Sequence, residues 1–309
     1  MITTVTLNPM LDKTVHVGSL GKGKIHRALK LEMVVGGKGI NVARQLNRFG
    51  IKTLATGFLG GEIGSMIMRL LDSEGIDHDF VETGVMTREG MTYLESDGTS
   101  TAVFEPAGRI PVHCVHHLNK KLAELSTKST WIVCSGSSPG LEADNVYYEA
   151  ILSAHKAGIR SVLDSYGEAL KFGLRALPTL IKPNRHEYQQ TFGRSLTTES
   201  KVQKTMDEWL EAGIKYVVIT DGANPAYAAS SDDQWKIEGP PVTSTNPVGS
   251  GDAMIAGIVY GFEQGWTFDR CVAFGTAAGA ANARKWEVAQ STFDEVSGLE
   301  DQVKITKIL

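Results

Sequence analysis

The sequence predicts a parallel β-sheet covered by helices on both faces, and three observations predict it. β-rich runs alternate with helical stretches along most of the 309 residues, glycine ends several of those helical stretches, and two β-rich segments stand outside the alternation. In chain order, TLATGFLG leads into EIGSMIMRLLDSEG, TWIVCSGS into DNVYYEAILSAHKAG, and RSVLDSY into GEALKFGLRAL. TLIKPN then precedes RHEYQQTFG, and KYVVITDG follows the helical TTESKVQKTMDEWLEAG. Open parallel sheets bind ligands beyond the C-terminal ends of their strands, so chemistry is expected in the turns after these strands. Residues 13–36 and 90–108 break the rhythm and read as antiparallel strands of a separate flap or lid. The second segment carries Asp97-Gly98, a strong hairpin signal. So small a sheet cannot bury both faces alone, and a partner subunit is expected to cover one of them.

Composition narrows the function. The formal net charge is −4 and Lys and Arg are scattered without a basic run, which argues against a nucleic-acid binder. The N-terminal MITTVTLNPMLDK enters a strand-like segment directly, without the charged and apolar regions of a secretory signal. The most apolar helical stretches, around 253–262 and 271–283, are bounded by charged residues and shorter than the roughly 20 residues of a membrane span. Cys114, Cys134 and Cys271 are odd in number and widely spaced, which suits a reducing cytoplasm and forms neither a disulfide framework nor a metal pair. The expectation is a cytoplasmic enzyme with neither nucleic acid nor membrane as partner.

Several motifs carry candidate chemistry. In NPVGSGDAMIAG, an apolar run after Gly249-Ser250-Gly251-Asp252 reads as the first turn of a buried helix, whose free amides attract anions. Read locally, Asp252 is a cap on those amides. GGKGINVARQLNRFG (36–50) is a second glycine-rich helix entry that matches neither common nucleotide fingerprint. It is either a close backbone approach by Gly36 and Gly37 to a polar ligand, with Lys38 and Asn41 on the first helical turn, or a flexible turn with a solvated lysine. IKPNRHEY sets Lys182, Asn184 and Glu187 at a strand-to-helix junction, either to position hydrated magnesium or to cap the helix, with Asn184 and Glu187 as a reciprocal pair. PVHCVHHLNKKL lacks the central glutamate of a zinc motif and reads as an amphipathic surface helix. CVAFGTAAGAANARKW (271–286) reads as close-packed core whose small residues could admit a flat ring near Ala278 and Asn282.

Taken in order, TLNPMLD, GGKGINVA, TREG, CSGSSPG, KPNRHE, ITDGANPA and NPVGSGDAMIAG resemble the ribokinase-like carbohydrate kinases of the phosphofructokinase-B family. Asn8-Pro9, Asp12 and Asn246-Pro247 look most like its branch that phosphorylates ketohexose phosphates, that of the 1-phosphofructokinases and tagatose-6-phosphate kinases. The resemblance implies one domain over residues 1–309 with a ribokinase-like three-layer α/β/α fold. Its central sheet is mostly parallel, and a small antiparallel β lid is inserted at about 13–36 and 88–106. It implies ATP as donor, Mg²⁺ as cofactor, fructose 1-phosphate as the first acceptor and tagatose 6-phosphate as the second, and a homodimer through the lid. A kinase for a free sugar or nucleoside and a non-catalytic sugar-phosphate sensor are the alternatives.

By the same resemblance, Asp252 is the catalytic base and the amides of Gly249, Ser250 and Gly251 hold the transferring phosphoryl charge. Asp12, Gly37, Lys38 and Asn41 match substrate positions, and Lys38 and Arg88 are matched to the acceptor's existing phosphate. Arg27, in the lid strand KIHRALKL, is a further candidate there. Lys182, Asn184, Thr220, Gly222, Val248, Gly249, Gly251, Ala278 and Asn282 match the nucleotide side. Glu187 would hold magnesium through water, and Asn184 is the second metal candidate. Pro225 stands where relatives carry the second glycine of a Gly-x-x-Gly turn, which leaves the contacts of Thr220 and Gly222 open.

Overall fold

In a computed structural model of the chain, which describes residues 1–308, the alternation appears as expected. The chain runs through β1 (Ile2–Thr6), β2 (Met10–Val17), β3 (Lys30–Gly36), α1 (Lys38–Arg48), β4 (Thr53–Leu59) and α2 (Gly61–Ser73). It continues through β5 (Val81–Glu82), β6 (Arg88–Glu95), β7 (Ser100–Phe104), α3 (Val112–Ser126), β8 (Trp131–Ser135) and α4 (Val146–Lys156). Next come β9 (Arg160–Asp164), α5 (Gly167–Arg175), β10 (Leu180–Ile181), α6 (Arg185–Phe192) and α7 (Glu199–Glu211). The last third holds β11 (Tyr216–Asp221), β12 (Asn224–Ser230), β13 (Gln234–Glu238), α8 (Ser250–Glu263), α9 (Phe268–Ala283), α10 (Phe293–Glu300) and β14 (Lys304–Lys307).

The main sheet has the order β14-β13-β12-β11-β10-β9-β8-β1-β4-β5. Every pairing from β5 to β11 is parallel, and β12, β13 and β14 add an antiparallel edge. Strand alternation builds two cores. Val5, Ile132 and Cys134 face α3, α4, α5 and α7 on one side, while Ile2, Trp131 and Val133 face α1, α8, α9 and α10 on the other. This is the three-layer fold, and no helix among the described residues is long and apolar enough to cross a membrane.

The small sheet has the order β3-β2-β6-β7. β2–β3 and β6–β7 are antiparallel pairs, joined through a parallel β2–β6 ladder. The Asp97-Gly98 hairpin is present, with Gly98 at φ +89. Residues 18–29 are loop where a continuous strand segment was expected, because Gly18, Gly21 and Gly23 interrupt it and Gly23 turns at φ +72. The base of this sheet is anchored, since Leu11 and Val35 are buried against α1 and α2. Register assigns Asp12, Arg88, Thr92 and Glu32 to one face of it and Leu31, Met33, Met91 and Val103 to the other.

Candidate active site

The chain leaves β1 for β4 on one side and reaches β8 on the other, which makes the C-terminal ends of β1 and β8 a topological switch point. Polar residues just past the strand ends gather there: Asn8 after β1, Ser137 after β8, Asp164 closing β9 and Lys182 after β10. Asn8 Nδ2 donates to Ser137 Oγ at 3.2 Å, tying the first two turns together.

The first turn of α8 points into this crevice. Gly249 is its N-cap at φ +80, and a Cβ there would lie 2.3 Å from Val288 Cγ1, so only glycine fits. The Ser250 amide donates to Pro247 O at 3.2 Å and is spent in the turn, which removes it from the expected anion nest. The amides of Gly249, Gly251 and Asp252 have no acceptor among the described residues, as the open end of a helix requires.

Asp252 does not cap them. No side chain caps α8, and the Asp252 carboxylate, 5% exposed, accepts a 2.8 Å hydrogen bond from Asn41 Nδ2 on α1. Burial pushes this carboxyl up to about 7; the charge of Lys38 opposes the rise, Asp164 adds to it, and Asn41 and Lys182 oppose it further. A carboxylate near neutrality beside unpaired amides can take a proton while they hold an anion.

Asp164, fully buried, is the residue that sequence reasoning missed, although an acid closing the predicted strand RSVLDSY was a usable signal. It lies between two ammonium groups, with Lys38 Nζ 3.3 Å from each of its oxygens and Lys182 Nζ 3.4 Å from Oδ1. Lys182 is 2% exposed and adjoins Gly251, where a Cβ would come within 3.3 Å of its Nζ. Lys38 also pairs with Glu187. Burial alone would lower the lysine's pKa, but Asp164, Glu187 and Asp252 together hold it raised, so Lys38 stays charged.

The Asn184–Glu187 pair forms a complete capping box at the start of α6. Asn184 Oδ1 accepts from Glu187 N at 2.8 Å, and Glu187 Oε2 accepts from Asn184 N at 2.9 Å. The single side-chain oxygen of Asn184 thus spends one lone pair on the cap. Thr220 is bridged to Asn184, and Gly222 turns the following hairpin at φ +58.

On the other side of the Asn8–Ser137 link, Arg88 Nη2 donates to Asn8 O at 3.1 Å. Its buried Nε has no partner, and burial disfavours its charge. Asp12, half-buried on the same sheet face, has its pKa raised by burial against a 3.5 Å hydrogen bond from Thr92. Gly37 and Gly39 are explained by packing: added Cβ atoms would lie 2.7 Å and 2.5 Å from the Thr6 side chain, so the glycines let α1 close on β1.

A family model for pfkB family carbohydrate kinases matches residues 5–293. The chain belongs to that family. It is 31% identical to a 1-phosphofructokinase of Borreliella burgdorferi, across all of this chain and 99% of the relative. Phosphofructokinase-2 of Escherichia coli, solved in complex with potassium, is 28% identical and superposes with a TM-score of 0.91 over 97% of this chain and 98% of that one. A Thermotoga maritima protein described as a possible 1-phosphofructokinase reaches 0.91 at 25% identity, over 100% of both chains.

In this pfkB kinase three expected site residues are not where the sequence put them. Arg27 is exposed in the loop before β3. Gly36 pairs with Met10 beside Arg88, whereas Lys30, three residues after Arg27, pairs with His16 about 20 Å along the strand from Gly36. Lys38 is held by Asp164 and Glu187 rather than beside Arg88. Ala278 is fully buried between α8 and α9 and offers nothing to a ring. Asn282 is a clamp: its Nδ2 reaches Val248 O at 2.8 Å and Ser250 Oγ at 3.1 Å, and its Oδ1 accepts from Ala289 N at 2.6 Å. Val248 itself is exposed beside the glycines. His113, His116 and His117 lie on the exposed side of the amphipathic α3.

Proposed function

We propose that the chain is a cytoplasmic, ATP- and magnesium-dependent kinase of ketohexose phosphates, with fructose 1-phosphate first and tagatose 6-phosphate second as acceptor. The observation that carries the choice of a phosphosugar is Arg88. Its half-buried guanidinium, with Nε unpartnered, faces the same way as Asp12 and donates to Asn8 O in the turn after β1. A phosphate oxygen pairs with that donor in a charge-assisted hydrogen bond, roughly twice as strong as one to a neutral sugar hydroxyl.

Ionised Asp252 accepts the proton of the acceptor hydroxyl as its oxygen attacks the γ-phosphorus of ATP, and the bond to the β-phosphate bridging oxygen breaks to release ADP. The free amides of Gly249 and Gly251, backed by the α8 dipole, hold the charge of the phosphoryl group in transfer. Asp12 orients the sugar hydroxyls, and Lys182 adds positive charge where the phosphates lie. The donor set fits a hydrated magnesium ion: each Glu187 oxygen has one partner, Lys38 or the Asn184 amide, and keeps a second lone pair for a metal-bound water. Magnesium supplies neutralisation of the nucleotide phosphates. The small sheet covers the sugar and keeps water from taking the phosphoryl group.

An assay with ATP and Mg²⁺ against fructose 1-phosphate, tagatose 6-phosphate and free sugars tests this reading. Turnover on a free sugar with none on either phosphosugar overturns it. Arg88→Ala raises KM for the phosphosugar about tenfold or more and leaves KM for ATP within about twofold, because one charge-assisted contact to phosphate is lost. A matched rise for both ligands contradicts the assignment.

A homodimer through the small sheet is part of the same proposal. Its outer face exposes Leu31, Met33 and Val103 together, an apolar surface that a second copy would cover. Light scattering of the protein and of Met33→Glu decides it: a dimer dissociated by the charge is expected, and a monomeric parent overturns the claim.

A further inference from the structure

The Asn41 side chain has two ends, and which end meets Asp252 is decided elsewhere. Arg44, one turn along α1 and 3% exposed, donates from Nη1 to Asn41 Oδ1 at 2.7 Å. A guanidinium has donors only, so the Asn41 atom facing it must be oxygen and the atom facing Asp252 must be the amide nitrogen. A flipped amide would set an oxygen lone pair against the carboxylate and an N–H against the guanidinium. Arg44 is itself held on three further donors: Nη2 reaches Val35 O at 3.1 Å and Glu74 Oε1 at 3.2 Å, and Nε pairs with the second Glu74 oxygen. A lysine cannot present this planar fork to three acceptors.

We propose that Arg44, braced by Glu74 at the end of α2, is a positioning residue that locks Asn41 as a hydrogen-bond donor to Asp252. This rests on the reading of Asp252 as the base. The fixed donor favours the ionised carboxylate, as do the charges of Lys38 from α1 and Lys182 after β10, whereas Asp164 from β9 opposes it. None of those three touches Arg44, so its replacement isolates the Asn41 contact.

The test is a carboxyl titration by carbon-13 NMR in protein labelled at aspartate, with the Asp252 signal assigned by its absence in Asp252→Asn. Arg44→Met is expected to move the Asp252 midpoint up by about one pH unit, the worth of one fixed hydrogen bond. It is expected to lower kcat about tenfold with KM for ATP unchanged, and Arg44→Lys should recover part of both. A folded Arg44→Met with parental titration and parental kcat overturns the proposal. If Arg44→Met does not fold, Glu74→Ala decides, because the Glu74 side chain is 27% exposed and its loss frees Arg44 without emptying a buried site. An unmoved midpoint there overturns the proposal equally. The titration needs no turnover, so a shifted midpoint in a protein that fails to phosphorylate any phosphosugar would sink the proposed function and leave this inference standing.

Discussion

Asp252→Asn lowers kcat by about 10²–10⁴-fold and leaves ATP affinity within about threefold, since the amide keeps the shape but cannot take a proton. The pH profile gives the sign. A base must be ionised to act, so kcat/KM of the parent falls about tenfold per pH unit below its midpoint of about 7. The residual activity of Asp252→Asn lacks that limb. Stability moves the other way. Asp252 has a folded-state pKa raised from 3.8 to about 7, so the folded protein binds the extra proton across that window and loses stability as pH rises through it. At pH 8 the ionised carboxylate is buried at a cost, and Asp252→Asn is expected to melt at a higher temperature than the parent. A variant that turned over like the parent would return Asp252 to a structural role.

Lys38→Met is expected to lower kcat by about 10²-fold or more and to raise KM for ATP and phosphosugar together. The reason is position: Lys38 pairs with Asp164 and Glu187, at the junction between α1, proposed to face the sugar, and α6, proposed to face the nucleotide. Its charge also lowers the Asp252 pKa, so its loss shifts the acid limb of kcat/KM to higher pH. Leaving the fully buried Asp164 with Lys182 alone costs about 1–3 kcal/mol of stability, the worth of one lost partner, measurable by urea unfolding. A rise confined to the phosphosugar KM, with the acid limb unmoved, would instead show Lys38 reading the sugar phosphate with Arg88, as the sequence suggested.

Two similar local signals resolved in opposite ways, and the difference is instructive. Asn184-x-x-Glu187 and Gly249-x-x-Asp252 both put an acid on the third residue of a helix. The first became a capping box because Asn184 supplies a side-chain acceptor and its partner glutamate reaches back. The second has glycine at the cap, and its aspartate is drawn to Asn41, 211 positions earlier. Nothing local distinguishes a capping acid from one recruited by a distant strand or helix. The same limit hid Asp164, whose partners lie 126 residues before it on α1 and after β10. It also misled the reading of Arg27, because the hairpin register that sets it apart from Arg88 was invisible until β2 and β3 were paired.

By itself the sequence determined the alternation of strands and helices in the parallel part of the sheet, the positions of the glycine turns and the motif series that marks a pfkB carbohydrate kinase. These are local: periodicity, turn chemistry and short spacing depend on neighbours within a few residues. Tertiary structure alone decided the ionic arrangement, in which Lys38 bridges Asp164 and Glu187 while Asn41, held by Arg44, faces Asp252. Charge, burial and hydrogen-bond direction depend on groups far apart along the chain that meet only where strand ends converge. That convergence makes Asp252, a helix cap when read locally, a buried carboxylate poised near neutrality.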